Sequence, residues 1–361
     1  MKIYRAILMC LIILNASVFA GIFDDYQNKV KIVFKGYNKP EILTNFPLLV
    51  VLGTNINGFS YSKFKSSGND LRFSDSSETI ELPYEVEKWN TNEQSYVWVK
   101  VPLIQSSNAY IWAFFGKSGV PPPSYSHGSV WDKSIGIWHM HVLNATDSSS
   151  NSFNGTAGAS VSLITTGKIG NALNFLGGAS SAYFVSVPSN SAFALTGPYT
   201  ISAWVFARGN NRRFVGTATS SSGYTFYTPN NAGITNNLAF FVQLGSAYTK
   251  YSNYSINSNA WKHVAFVRNG GTGLFYVDGK RVASVTGLTD THSGSTLHLG
   301  NGGARTTGYS WNGFLDEIRI HNTAMSSNWI WASVVNQASN NVFCNYGPVI
   351  RNSKGSVFMI L

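Results

Sequence analysis

The stretches WKHVAFV at 261–267, LFYVDGKRV at 274–282 and GFLDEIRIHNTAMS at 313–326 decide the fold. In the first two, large apolar or aromatic residues alternate with polar ones, the period of a strand with two differently used faces. Asp278-Gly279 supplies a two-residue hairpin turn between strands. The third stretch starts at Gly313 and ends at polar His321-Asn322. The three read as neighbouring strands of one sandwich, and the chain as all-β.

Working outward, GIWHMHVLNATDSSSNSFNGTAG at 136–158 is an aromatic strand followed by an Asp-Ser-rich loop, and GKIGNALNFLGG at 167–178 and YTISAWVFARG at 199–209 continue the pattern. Together with the first three stretches they resemble the LamG-like (laminin G, concanavalin A-type) jelly roll over about 131–349. The resemblance implies a recognition fold, so binding is expected rather than catalysis. Many relatives carry an aspartate after the phenylalanine of the NF-x-G-G stretch. Here Leu176 stands there, and no role is carried over to it.

A first unit lies between Gly21 and 117. NFPLLVVLG at 45–53, DLRFS at 70–74, ELPYEVEKW at 81–89, SYVWVKVPLI at 95–104 and NAYIWAFFG at 108–116 are strand-like segments bounded by turn residues. GNDLRFSDSSETIELPYEVEKW followed by VWVKVP and YIWAFFG is similar to the bacterial domain of unknown function family 2341, which implies a second β-sandwich of unassigned role. Between the units, 118–130 includes Pro121-Pro122-Pro123 and reads as a Pro/Ser/Gly linker, extended and semi-rigid. Residues 350–361 read as a loose tail.

Composition agrees with many strands and tight turns: of 361 residues 34 are glycine, 14% are aromatic and 12% charged. The net charge of +10 comes from scattered bases rather than a run, which argues against nucleic acid as partner. Lys2 and Arg5 precede the apolar run Ala6 to Leu14, and Val18-Phe19-Ala20 suits cleavage before Gly21. Residues 1–20 therefore read as a secretory signal, the run being short of the roughly 20 residues a membrane span needs. The mature chain is expected outside the cytoplasm, secreted or on the cell surface, without a membrane span. Cys10 leaves with the signal, so Cys344 remains alone and is expected to be a buried, inert thiol.

For ligand binding, the glycine-rich loop near 300–312 places Arg305, Tyr309, Trp311 and Asn312 together. An exposed ring there packs against a pyranose while amide and guanidinium groups meet its hydroxyls. Tyr224, Phe226 and Tyr227 form a second aromatic patch, whereas Trp204 and Trp261 read as core. LamG-like relatives place calcium where Asp147 and Asp316 fall, with Asn151 as a further oxygen donor, so a structural calcium is implied there; local Asx-type hydrogen bonding is the alternative. The expected partner is a glycan or an extracellular surface protein.

Two alternatives stand beside binding, a structural stalk or adhesin and a polysaccharide-cleaving enzyme. Retaining glycanases need two carboxylates about 5–5.5 Å apart. Glu85 and Glu87, at i and i+2 of one strand, share a face; with Glu81 they read first as a solvated polar face. Asp316 and Glu317 would point to opposite faces of a regular strand. His139 and His141 in WHMH are also i and i+2, but no HExxH, cysteine pair or GxSxG accompanies them. His139 is expected to find one polar partner.

Overall fold

The computed structural model describes residues 21–352 apart from 66–67, 124, 126, 210–211, 218–222, 229–237, 245–247, 257–258, 290–295 and 304–308. The proposed signal at 1–20, the tail beyond 352 and Arg305 lie outside the described residues.

The chain is all-β and builds two sandwiches. In the first, a three-stranded sheet of Leu43–Leu52, Ser95–Ile104 and Tyr84–Lys88 faces a six-stranded sheet whose centre is Asn28–Val33, Tyr110–Phe115 and Arg72–Ser74. The inward residues of both, among them Val30, Ile32, Leu48, Val50, Val97, Val99, Ile111 and Ala113, form one apolar core. The alternation seen at 95–101 is the reason. Val97, Val99 and Val101 turn inward, while Trp98 faces the other way and is nonetheless fully buried.

The second sandwich packs an eight-stranded sheet on a seven-stranded one. The deciding stretches sit together in the eight-stranded sheet, where Asn312–His321 and Trp261–Asn269 flank Tyr199–Ala207 and Thr272–Val277 follows Trp261–Asn269. Val277 pairs with Lys280 across the Asp278-Gly279 turn, with φ of 47° and 78°, the left-handed geometry that a two-residue turn requires. Trp204 is buried, as expected of a core ring.

The closing segment does not stay with the second sandwich. Helix Ser327–Ala338, capped by the Ser326 side chain on the Trp329 amide, crosses back to the first. Ile330 joins an apolar cluster with Ala265, Val267 and Tyr276 of the second sandwich, while Ala332 joins the core of the first. Beyond it, Asn345–Tyr346 and Ile350–Arg351 both pair with Asn28–Val33. The 131–349 unit read from sequence is thus divided near 326, and Ile350-Arg351 is part of a sheet rather than of a loose tail.

The return covers a sheet edge. Among the described strands Leu43–Leu52 pairs only with Ser95–Ile104, so its other side offers unpaired backbone groups. Asn336 fills that place with one amide, its Oδ1 accepting from Leu49 N at 2.7 Å and its Nδ2 donating to Leu49 O at 3.0 Å. Asn340 Nδ2 donates to the same carbonyl and Val51 N donates to the Tyr346 hydroxyl. Gly36 permits the close approach, since a Cβ there would stand 2.4 Å from Val342 O. Cys344 is buried beside Asn336, and burial pushes its thiol well up, in keeping with an inert role. Asn336→Ala should lower unfolding stability by about 2–4 kcal/mol in urea melts, because two buried backbone groups lose this partner.

Candidate functional site

Two places concentrate functional chemistry: the rim of the second sandwich that carries the 300–312 loop, and the seam between the sandwiches.

At the rim, the structure separates the residues grouped by sequence. Tyr309 is 40% exposed, but Trp311 is fully buried. Its indole N–H donates to Phe314 O at 3.1 Å and its ring packs edge-on against Phe214. The expectation of an exposed Trp311 is therefore corrected: the residue pairs its backbone with Gly300 and points into the core. Asn312, half-buried, opens the strand, and its carbonyl accepts from Arg208 N. Tyr224 and Phe226 are buried as well, which removes them from the second patch and leaves Tyr227 half-buried.

What replaces Trp311 is a residue that sequence reading missed. Arg213 lies with its guanidinium carbon 4.2 Å from the Tyr309 ring centroid and 5.2 Å from that of Tyr227. Strand pairing sets this up, since Arg213 lies opposite Tyr227 and its amide donates to Tyr309 O. Gly302 leaves the room its side chain needs. Burial lowers the Arg213 pKa from its usual value without neutralising it, because a guanidinium keeps its charge in proteins. The signal in the sequence was the polar pair Arg212-Arg213 ahead of an apolar strand, which no periodicity rule connects with a loop 96 positions on.

The two proposed metal carboxylates stand apart from each other in role. Asp147 closes its own loop, accepting from the amides of Ile137, Ser149 and Phe153 and from the Ser149 hydroxyl, all at 2.8 Å. This is the local Asx arrangement weighed above. Asn151 donates to the carbonyls of Ser134 and Ile135, so it too ties the loop down. Asp316 is fully buried and accepts from Ile169 N at 2.9 Å. Neither aspartate belongs to a group of three metal-capable His, Cys, Asp or Glu side chains; among the described residues that group is Glu87, His139 and Glu317.

That group lies in the seam. Glu85 and Glu87 share one face of their strand, as their spacing requires, but the face is not solvated: the second sandwich covers it. His139 Nδ1 meets Glu317 Oε1 at 2.6 Å and stands 3.7 Å from Glu87 Oε2, and its Nε2 stands 3.5 Å from Glu85 Oε2. Arg319 grips Glu317 Oε2 through Nε at 3.0 Å and Nη2 at 2.5 Å, with its guanidinium over the rings of Trp98 and Trp131. The two indole N–H groups finish the set, Trp98 donating to Glu87 and Trp131 to Glu85. Ser148 adds a 2.5 Å bond to Glu85. A bulge aims Glu317 into this network: it is the extra residue where the register shifts opposite Ser202 and Trp204, with φ of 51°. The strict alternation assumed from sequence for Asp316 and Glu317 fails at that bulge.

Electrostatics follow from the contacts. Burial would raise Glu317, but the charges of His139 and Arg319 outweigh it and hold the carboxyl at about 2. Burial and then the Glu317 charge push Glu87 well up. Burial opposes a charge on His139, yet Glu317 and Glu85 raise it well above the usual imidazole value. His141 goes the other way, lowered by burial and by His139. A cleft of about 460 Å³ lined by Tyr84, Glu85, Val86, His141 and Ser148 opens beside the network, while the Glu87 side chain is fully buried. Of this pair only Glu85 lines the cleft, whereas retaining hydrolysis uses two carboxylates at the substrate.

The geometry defines a pair of β-sandwiches joined through a polar seam. Residues 176–331 match the family described as the concanavalin A-like lectin/glucanases superfamily, and 67–132 match the domain of unknown function family 2341. The two matches fall on the two parts of the chain whose sequences resemble these families. No curated protein matches it. Among solved structures, it is similar to the binding domain of Paraclostridial Mosquitocidal Protein 1, at 16% identity and a TM-score of 0.45 over 56% of this chain and 52% of that one. Domain 4 of a GH43 extracellular arabinanase from Geobacillus stearothermophilus, in complex with arabinotriose, matches at 19% identity and 0.44 over 55% of this chain and 97% of that one. The binding domain of botulinum neurotoxin DC in complex with SialylT matches at 15% and 0.43 over 57% and 52%. The chain spans about half the length of the first and third of these. No helix among the described residues is long and apolar enough to cross a membrane.

Two outcomes test this geometry. Arg319→Met keeps most of the packing over Trp98 and Trp131 but leaves Glu317 short of a partner, and should cost about 3–5 kcal/mol in a urea melt. His298, against the Phe184 ring at 4.5 Å, is held by burial at about 4 instead of 6.5. A histidine lowered on folding gives stability that is complete above the unfolded value and is lost as pH falls toward the folded one. Thermal stability should therefore drop between pH 6.5 and 4, by at most about 3 kcal/mol from this residue, and His298→Gln should flatten that part of the profile.

Proposed function

We propose that the chain is a secreted or cell-surface binding protein whose second sandwich recognises a glycan at the rim formed by Tyr309, Arg213 and Tyr227. The observation that carries this is the exposed Tyr309 ring stacked on a guanidinium 4.2 Å away. A sugar ring needs an apolar face to pack on and a hydrogen-bond donor beside it, and this pair supplies both. Holding Arg213 between two rings fixes the donor before a ligand arrives, which lowers the ordering cost of binding.

Secretion rests on the basic, then apolar, then small-residue order of residues 1–20. The match of 176–331 to a family of lectins and glucanases supports binding or hydrolysis alike; the burial of Glu87 favours binding. The test is a glycan array probed with the chain from Gly21 onward, scored for retention and for cleaved products. Tyr309→Ala should weaken retention of the best ligand about 10-fold, the value of one stacking ring, with the melting temperature unchanged. Retention that Tyr309→Ala and Arg213→Gln both leave intact would move the site elsewhere, and release of cleaved product would replace the reading with a hydrolase.

A further inference from the structure

Of the features that the binding reading leaves unused, the seam cluster carries an inference furthest. Glu87, His139 and Glu317 place one ligand atom each within 4.8 Å of one another, and all three side chains are buried. As a plain ion-pair network, the cluster is incomplete. Glu87 Oε1 is buried with no hydrogen-bond partner, and His139 Nε2 meets only the Glu85 carboxylate, at 3.5 Å. A charged Glu87 leaves that oxygen bare, and a protonated one leaves an O–H without an acceptor; either is costly in a dry interior.

Charge points the same way. Glu85, Glu87 and Glu317 face Arg319 and His139, so without a further cation the network balances only with Glu87 neutral, and its Oε1 is then still unpartnered. With a divalent cation and a neutral imidazole, three carboxylates and Arg319 come out neutral, and the histidine is in the form that ligates metal. Asp316, also buried nearby, has Lys168 as a cation at longer range.

We infer that Glu87, His139 and Glu317 form a structural site for a divalent transition ion, zinc by donor set, that joins the two sandwiches. One imidazole and two carboxylates without sulfur suit Zn²⁺ better than calcium, which takes oxygen ligands in larger number. A carboxylate binding through both oxygens gives the fourth ligand of a closed site. The remaining contacts then act as outer-shell partners. Arg319 and Trp98 orient Glu317 and Glu87 by hydrogen bonds, the role such groups play around structural metals. The Glu85 carboxylate, on the wall of the interdomain cleft, marks the side from which an ion enters.

The test uses the chain from Gly21 onward, purified without added metal, stripped with EDTA and titrated with Zn²⁺. The expected result is one zinc per chain by elemental analysis and a melting temperature raised by zinc and lowered by chelator. Cobalt in place of zinc should give the visible absorption of a low-coordinate site. Glu87→Gln keeps an oxygen to accept from Trp98 and should weaken zinc by more than the roughly 10–100-fold that an outer-shell partner costs, while far-ultraviolet circular dichroism stays native. A folded wild-type chain that binds no zinc and melts at one temperature with or without EDTA would overturn the inference. So would zinc bound equally well by folded Glu87→Gln and His139→Gln.

Discussion

Glu317 is a buried carboxylate, and a buried carboxylate persists only where cations and donors surround it. Its partners come from separate parts of the chain: Arg319 from two residues along, and His139 from the strand end that follows Trp138. Glu85, Glu87, Trp98 and Trp131 close the same network from the first sandwich and the linker end. The cluster Leu49, Val51, Trp98, Val130, Trp131, Ile137 and Ile169 surrounds it with apolar surface from both units. The polar core fixes the geometry of the seam, and the apolar cluster packs beside it.

The helix after Ser326 secures the other side. By giving Leu49 its missing backbone partners, Asn336 turns an exposed strand edge into an interior one, and the two short strands that follow lengthen the opposite sheet. The first sandwich therefore includes both ends of the described chain, and the second is an insertion between them. The first unit thus holds the second at two places.

How much of this was legible in the sequence depended on the range of the interaction. Strands and the Asp278-Gly279 turn are set by neighbours and could be read, and so could the face shared by Glu85 and Glu87. What covers that face could not, because the covering residues, from Trp131 to Arg319, lie far along the chain and alternation says only that a face is polar. The same limit explains Trp311 and Arg213. An aromatic in a glycine-rich stretch looks exposed until its ring is seen to pack against Phe214, and an arginine on a strand looks solvated until two tyrosines are found beside it. The bulge at Glu317 was invisible for a different reason: one extra residue changes which side chains share a face without changing composition or spacing.

The central claim is that the two sandwiches are one structural unit, joined by the seam and by the returning helix. Scanning calorimetry of the chain from Gly21 onward measures this directly. The account predicts a single transition whose calorimetric and van't Hoff enthalpies agree. Two resolved transitions, each with the enthalpy of one sandwich, would contradict it.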